Sequence, residues 1–467
     1  MSTGPAENPA TRGIADFVAN LQYEQIPEEV RQRVKRLILD ALGCGLFGAN
    51  LQWSRILQDR LGALDTTRTC AVWGTGRKLS APHAALVNGT QVQGFELDDT
   101  HLLGILHCGS VILPPLVSIV EGRPGMSGRE FLTAAVAGYE VGPRVGICMG
   151  NEHIAQGWHS GATAGVFAAA ASAARGLKLD VDKTVHALGI AGTQASGLMA
   201  AQFGSMVKRM HSGRAAQSGL YGAQFADAGF TGIVNVFESE YGGFCTTFSR
   251  STDRFKIGEL TAGYGEVWQA MGVRLKFYSC VGSNHTALDL VREFRADRPF
   301  TADEVAKVVV YGPQATVEHS GWKYVPQGFT AAQMNLSFCV ATELIEGDCF
   351  VDQFTEEKLT DPVRMALAEK IEVIHDPSIT ARGPKFRQML RLEVHLKDGT
   401  KMERTREIGR HKVEFGSDAE VVGKFEKLAS RVLPKAQVDE LCDCVLNLEK
   451  MDDAGKLARL LAHDQGA

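Results

Sequence analysis

A chain of 467 residues, 45% hydrophobic and 22% charged, is long for one core and has an ordinary enzyme-like make-up, so two domains are expected. A net charge of -5 excludes a global basic field for nucleic acid, so an anionic ligand needs a locally basic pocket. Ten cysteines fall in no disulfide framework or iron–sulfur triplet, and Cys442 and Cys444 have no histidine nearby, so neither metal nor cofactor is expected.

The first residues carry no basic-then-apolar leader. The apolar run from Leu102 to Val120 is long enough for a membrane span, but His107 and Pro114-Pro115 interrupt it, so it reads as buried core. A soluble, cytoplasmic protein is the expectation. Residues 14 to 270 read as successive helices. Glu28 to Phe47 repeats apolar residues at three- and four-residue spacing. Pro82 opens a run ending at Phe95, and Ser127-Gly-Arg-Glu130 is a capping box ahead of Phe131 to Cys148. Gly161 to Ala174 and Ser212 to Ala228 are small-residue helices suited to a tightly packed bundle.

The texture changes near residue 270. Val305 to Tyr311 and Ile371 to Ile374 read as strands, and Met389 to Arg406 as a hairpin turning on Asp398-Gly399. Helices over Ala331 to Glu346 and Pro362 to Lys370 alternate with them. After Gly409 helical periodicity returns, over Ala419 to Leu433 and Val438 to Leu461. The predicted fold is mainly α: a large helical domain built from both chain ends (1–270 and 410–467) with a smaller α+β lid domain (271–409) inserted.

Phe95 to Ser110 concentrates Glu96, Asp98, Asp99, Thr100, His101 and His107 where a helix gives way to a loop. Proton transfer needs such groups, although a solvated helix end would look the same. Further candidates are His159, at the start of a small-residue helix, and the basic stretch Lys208-Arg209-Met-His211, placed ahead of a helix opened by Ser212 as an anion site. The run Lys276 to His285 lies at the domain junction, where ligand sites are favoured; Cys280 there reads as a buried spectator, and His285 as a general acid or base or a core histidine. Trp322-Lys-Tyr324 sits on a loop of the insert. No nucleophile elbow, Walker pattern or dinucleotide fingerprint is present. Carboxylates, histidines, lysines and a tyrosine suit proton abstraction beside a carboxylate, with cations stabilising the charge that develops.

The Asp-Asp-Thr stretch with its histidine turn, the His159 segment, Lys208-Arg-Met-His-Ser-Gly-Arg-Ala-Ala, Lys276 to His285 and Ala332-Gln-Met-Asn-Leu-Ser-Phe occur in an order that resembles the MmgE/PrpD family. That family includes 2-methylcitrate dehydratases, cis-aconitate decarboxylases and an iminodisuccinate epimerase. The resemblance spans nearly the whole chain and implies a helical domain plus lid, a homodimer, and a cofactor-independent lyase acting on a di- or tricarboxylate. It carries the family's first acid onto Glu96, with Asp98, Asp99 and Thr100 after it, its histidine onto His107, its lysine onto Lys208, another histidine onto His285, and a lid tyrosine onto Tyr324. Cys108 and Ser279 stand where the family has proline.

In this reading Glu96, Asp99, His107, Lys208 and His285 are catalytic. Thr100, His159, Lys208, Arg209, His211, Lys276 and Tyr324 bind substrate. Dehydration of a 2-methylcitrate-like acid is the first expectation, with decarboxylation or epimerisation as alternatives and a silent binding protein as the reading from another class.

Overall fold

The computed structural model describes residues 7–410 and 414–463. It is mainly α with a small α+β region, and among the described residues no helix is long and apolar enough to cross a membrane. Glu28–Gly48 forms a helix whose Val30, Val34, Leu37, Ile38 and Leu42 are buried, as the period of 3.6 requires. The helix Gly128–Ala155 opens with the Ser127/Glu130 capping box. Gly109–Gly122 is a helix buried along nearly its whole length despite Pro114 and Pro115 within it, so the long apolar run is core.

Both ends of the chain meet in one bundle. Asp418–Ala429 packs on Glu28–Gly48, with the Lys424 ammonium 2.5 Å from the Asp40 carboxylate. The later helical run is broken into Lys435–Leu446 and Gly455–Leu461 around a short 3₁₀ turn.

The four-stranded sheet falls within residues 305–406. Its order is Ile371–His375, Val305–Gly312, Leu390–Leu396, Lys401–Arg406, the first pair parallel and the others antiparallel. The expected single helix over Ala331 to Glu346 is two, Phe329–Met334 and Leu336–Glu346, because Asn335 turns extended and caps the second by accepting from the Phe338 N–H.

One helix crossing positions the candidate site. A Cβ on Gly213 would lie 2.1 Å from the Leu86 carbonyl oxygen, and one on Gly89 would lie 2.7 Å from the Gly213 Cα. Only glycine at both positions lets the helices Ala81–Val92 and Val207–Asp227 cross this closely. The crossing sets the C-terminal end of the first helix, and Glu96 just beyond it, against the first turn of the second.

That second helix starts at Val207, five residues before the expected cap at Ser212. Gly204, with φ of 120°, closes the preceding 3₁₀ turn, and the Lys208 N–H already reaches the Ser205 carbonyl. Lys208, Arg209 and His211 are therefore helical residues, not a loop ahead of a helix. Neighbours on a helix point about 100° apart, yet Lys208 and Arg209 both reach Glu96, and Arg209 also reaches Gln333.

Candidate active site

Beyond Phe95 the chain turns at Glu96, whose φ of 56° is left-handed. That conformation is uncommon for a residue with a Cβ, and here it aims a buried carboxylate into a group of cations. The Lys208 ammonium lies 2.7 Å from Glu96 Oε2, the Arg209 guanidinium 2.5 Å from the same oxygen, and the Lys276 ammonium 3.1 Å from Oε1. Burial alone would raise the Glu96 carboxyl, but Lys208, Lys276 and Arg209 together hold it well below the usual range. Burial holds Lys208 below the ordinary lysine range, and Arg209 and Lys276 push the same way against the pull of Glu96. Three cations thus share one carboxylate.

Lys276 arrives from a distant stretch through a two-residue antiparallel ladder, Thr100 opposite Arg274 and His101 opposite Val273. Gln333, in the Ala332-Gln-Met-Asn motif, accepts from Arg209 at 2.7 Å and donates to the Phe95 carbonyl at 2.9 Å. It thereby fixes both the guanidinium and the turn that presents Glu96.

The neighbouring acids have different tasks. Asp98, fully buried, sits 3.0 Å from His107 Nδ1, while His107 Nε2 is 3.9 Å from Glu96 Oε1. A carboxylate on Nδ1 orients the ring and stabilises its imidazolium, leaving Nε2 as the working nitrogen. Asp99 instead accepts from the Gly109 N–H at 2.8 Å at the start of helix Gly109–Gly122, and burial together with the Asp98 charge pushes its carboxyl well up. His159 precedes the short helix Ser160–Thr163, and its Nδ1 lies 3.2 Å from His211 Nδ1. Burial, then the Lys208 charge, keeps His159 well below the usual imidazole range and His211 at about 4. Both rings are neutral near pH 7, one donating to the other.

These side chains meet at a cavity of about 550 Å³, a size suited to a small organic acid. Glu96, Thr100, His107, His159, Lys208 and Lys276 line it. Five other expected site residues are not among its lining. Asp99 is turned to the Gly109 amide and Arg209 to Gln333. His211 stands behind His159. His285 turns into the core, 3.3 Å from the Cys280 carbonyl and edge-on to Tyr278, although Val281, Gly282 and Ser283 of its own run do line the cavity.

Tyr324 borders a separate cavity with Trp322, Ser337 and Ile371, packs on Phe338, and donates to the Leu359 carbonyl at 3.1 Å. Tyr324→Phe is accordingly expected to leave KM unchanged and to cost about 0.5–1.5 kcal/mol of stability, the ordinary contribution of one hydrogen bond. Steady-state kinetics and denaturant unfolding of that variant check both halves.

Sequence reasoning singled out Asp98 only as part of a motif and missed His319, Arg387, Gln202 and Gln388, all four of which line the cavity. The available signal was a basic, glycine-containing stretch, Arg382 to Arg387. Cys280, Cys339 and Cys349, far apart in sequence, converge with their sulfurs within 4.8 Å, the one set among the described residues that could hold a metal. All three are fully buried and none lines the cavity.

Two family models match the chain: the MmgE/PrpD N-terminal domain over residues 12–256 and the MmgE/PrpD C-terminal domain over residues 278–450. Relatives include a cis-aconitate decarboxylase-like protein oryM of Aspergillus oryzae, 34% identical over 98% of both chains. A cis-aconitate decarboxylase of Aspergillus terreus is 32% identical over 98% of this chain and 96% of its own. The human protein named cis-aconitate decarboxylase is 27% identical over 97% of this chain and 94% of its own.

Proposed function

The chain belongs to the MmgE/PrpD family, and on that premise we propose that this lyase decarboxylates cis-aconitate or a close tricarboxylate analogue. The dehydration of a 2-methylcitrate-like acid expected first from the sequence gives way to its alternative, since the relatives over the full length are named as decarboxylases. One observation carries the chemical side of the proposal: Glu96 is shared among three cations while an Asp98-oriented His107 faces the same cavity.

In cis-aconitate the bond from the CH₂ carbon to its carboxylate breaks, and its electron pair forms a new double bond to the central carbon. The old double bond shifts its pair to the far CH carbon, next to that carbon's own carboxylate. Carbon dioxide leaves, and the transient enediolate takes one proton at the CH carbon. Lys208 and Lys276 stabilise the enediolate charge. The imidazolium of His107 delivers the proton from Nε2, and Asp98 stabilises the charged ring beforehand. A carboxylate held ionised by three cations favours storing charge over abstracting a proton, so the site suits a reaction in which the proton enters.

Proton NMR in deuterated water tests this with cis-aconitate and 2-methylcitrate supplied separately. The expected result is carbon dioxide release from cis-aconitate and a five-carbon unsaturated dicarboxylate with one deuterium on its saturated carbon. Loss of water from 2-methylcitrate, with cis-aconitate untouched, would overturn the proposal.

A further inference from the structure

A substrate with three carboxylates needs more than the inner group of cations, and the wall built by residues 313–319 and 380–388 supplies another. Arg387 lines the same cavity as Lys208 and Lys276. Among the described residues its guanidinium makes one hydrogen bond, a long one of 3.5 Å to the Leu102 carbonyl, and no carboxylate lies within ion-pair distance of it. Other arginines between residues 360 and 395 are paired with carboxylates: Arg382 with Glu407, Arg391 with Glu393 and Glu403, Arg364 with Glu346. Burial lowers the Arg387 guanidinium from its ordinary range, while part of the side chain stays open to the cavity. A partly desolvated guanidinium gains from an anion that a ligand can provide.

Of its neighbours on that wall, Gln388 also lines the cavity, but its buried atom without a partner among the described residues is an amide oxygen, an acceptor that offers nothing to a carboxylate. His319 also lines the cavity, and burial, then the charges of Lys208 and Arg387, hold its imidazole at about 4. It is therefore neutral near pH 7 and has one N–H to give. Glu318 lines the cavity too, but it is exposed and accepts from Gln314 at 2.8 Å.

We propose that Arg387, with His319 beside it, forms a second carboxylate subsite that selects tricarboxylates over dicarboxylates. Lys208 and Lys276 serve the two carboxylates at the Glu96 end of the cavity, and the fork of Arg387 takes the third, with two parallel N–H groups matching two carboxylate oxygens. The subsite rests on the tricarboxylate reading given under the proposed function. Arg387 already reaches the Leu102 carbonyl, so the subsite adjoins the stretch that carries Glu96 and His107.

Calorimetric binding of two unreactive acids to the full-length protein tests the subsite without turnover. Propane-1,2,3-tricarboxylate carries the third carboxylate and glutarate lacks it. The wild-type protein is expected to bind the tricarboxylate more tightly. Arg387→Gln should weaken tricarboxylate binding by about ten- to a hundredfold, the loss of one charge-assisted contact, and leave glutarate nearly unchanged. Arg387→Lys should recover part of the difference, and His319→Asn, a smaller change, should weaken the tricarboxylate alone. With cis-aconitate as substrate, the effect of Arg387→Gln should fall on KM, with kcat within about threefold.

Equal binding of both acids by the wild type, or a preference unaltered in folded Arg387→Gln and His319→Asn, would overturn the subsite. If Arg387→Gln fails to fold, Arg387→Lys and His319→Asn decide the question. The two readings fail separately: a protein that prefers the tricarboxylate through Arg387 but leaves cis-aconitate intact keeps the subsite and loses the reaction. One that decarboxylates cis-aconitate with Arg387→Gln unaffected keeps the reaction and loses the subsite.

Discussion

Replacing His107 with glutamine is expected to lower kcat for cis-aconitate by about 10²–10⁴-fold, the usual contribution of a positioned proton donor. The ring is 8% exposed and holds to Asp98 through Nδ1, so the working nitrogen is free to face the cavity. Glutamine keeps a polar group of similar reach but cannot deliver a proton, so binding of an unreactive tricarboxylate should change little. Asp98→Asn should also depress kcat, by a smaller factor, because the ring remains while its imidazolium loses the buried charge that stabilises it. Equal kcat in His107→Gln and wild type, measured on folded protein, would remove His107 from the reaction. A loss confined to KM would make it a binding group.

Glu96→Gln is expected to be the most destabilising single change at the site, by about 3–5 kcal/mol, since removing one partner of a buried ionic group leaves the others uncompensated. Here the uncompensated groups are Lys208, Arg209 and Lys276, each almost fully buried. The same change has a pH signature. The folded-state carboxyl of Glu96 lies well below its ordinary value of 4.5, so its ionisation stabilises the fold above the unfolded value. That stabilisation is lost as pH falls below about 4.5 toward the folded value. Thermal unfolding between pH 7 and 3 should therefore show a smaller acid-side loss of Tm in Glu96→Gln than in wild type, from a lower starting Tm. Parallel pH profiles for the two proteins would show that the carboxylate is not held as described. Glu96→Asp, one methylene shorter, tests reach: contact with all three cations from the same turn should be incomplete, and stability intermediate.

The mainly α character of the chain was legible because local rules and packing agree there. Glu28–Gly48 carries its period in its own residues, Ser127 and Glu130 cap their helix as the pair suggests, and Asp398-Gly399 turns the hairpin. The small-residue helices predicted close approach, and Gly89 against Gly213 shows it. Helix starts were less legible. Ser212 is a good cap by residue type, but the chain is already helical at Val207 because the turn after Gly204 fixes the entry.

At the site, the sequence by itself identified the chemical stock: acids and a histidine in 95–110, cations at 208–209 and 276, and a histidine at 159. Side-chain type and local clustering suffice for that. It could not say which acid does what. Asp98 and Asp99 are adjacent and alike, yet alternate backbone directions send one to His107 and the other to the Gly109 amide. Nor could it turn Tyr324 and His285 away from the cavity or place His319 and Arg387 on its wall, since those directions depend on packing between stretches far apart in sequence. The encirclement of Glu96 by Lys208, Arg209 and Lys276 was decided only by the tertiary structure. It requires a glycine crossing of two helices and a ladder between residues 100 and 274, and neither long-range contact leaves a periodic trace along the chain.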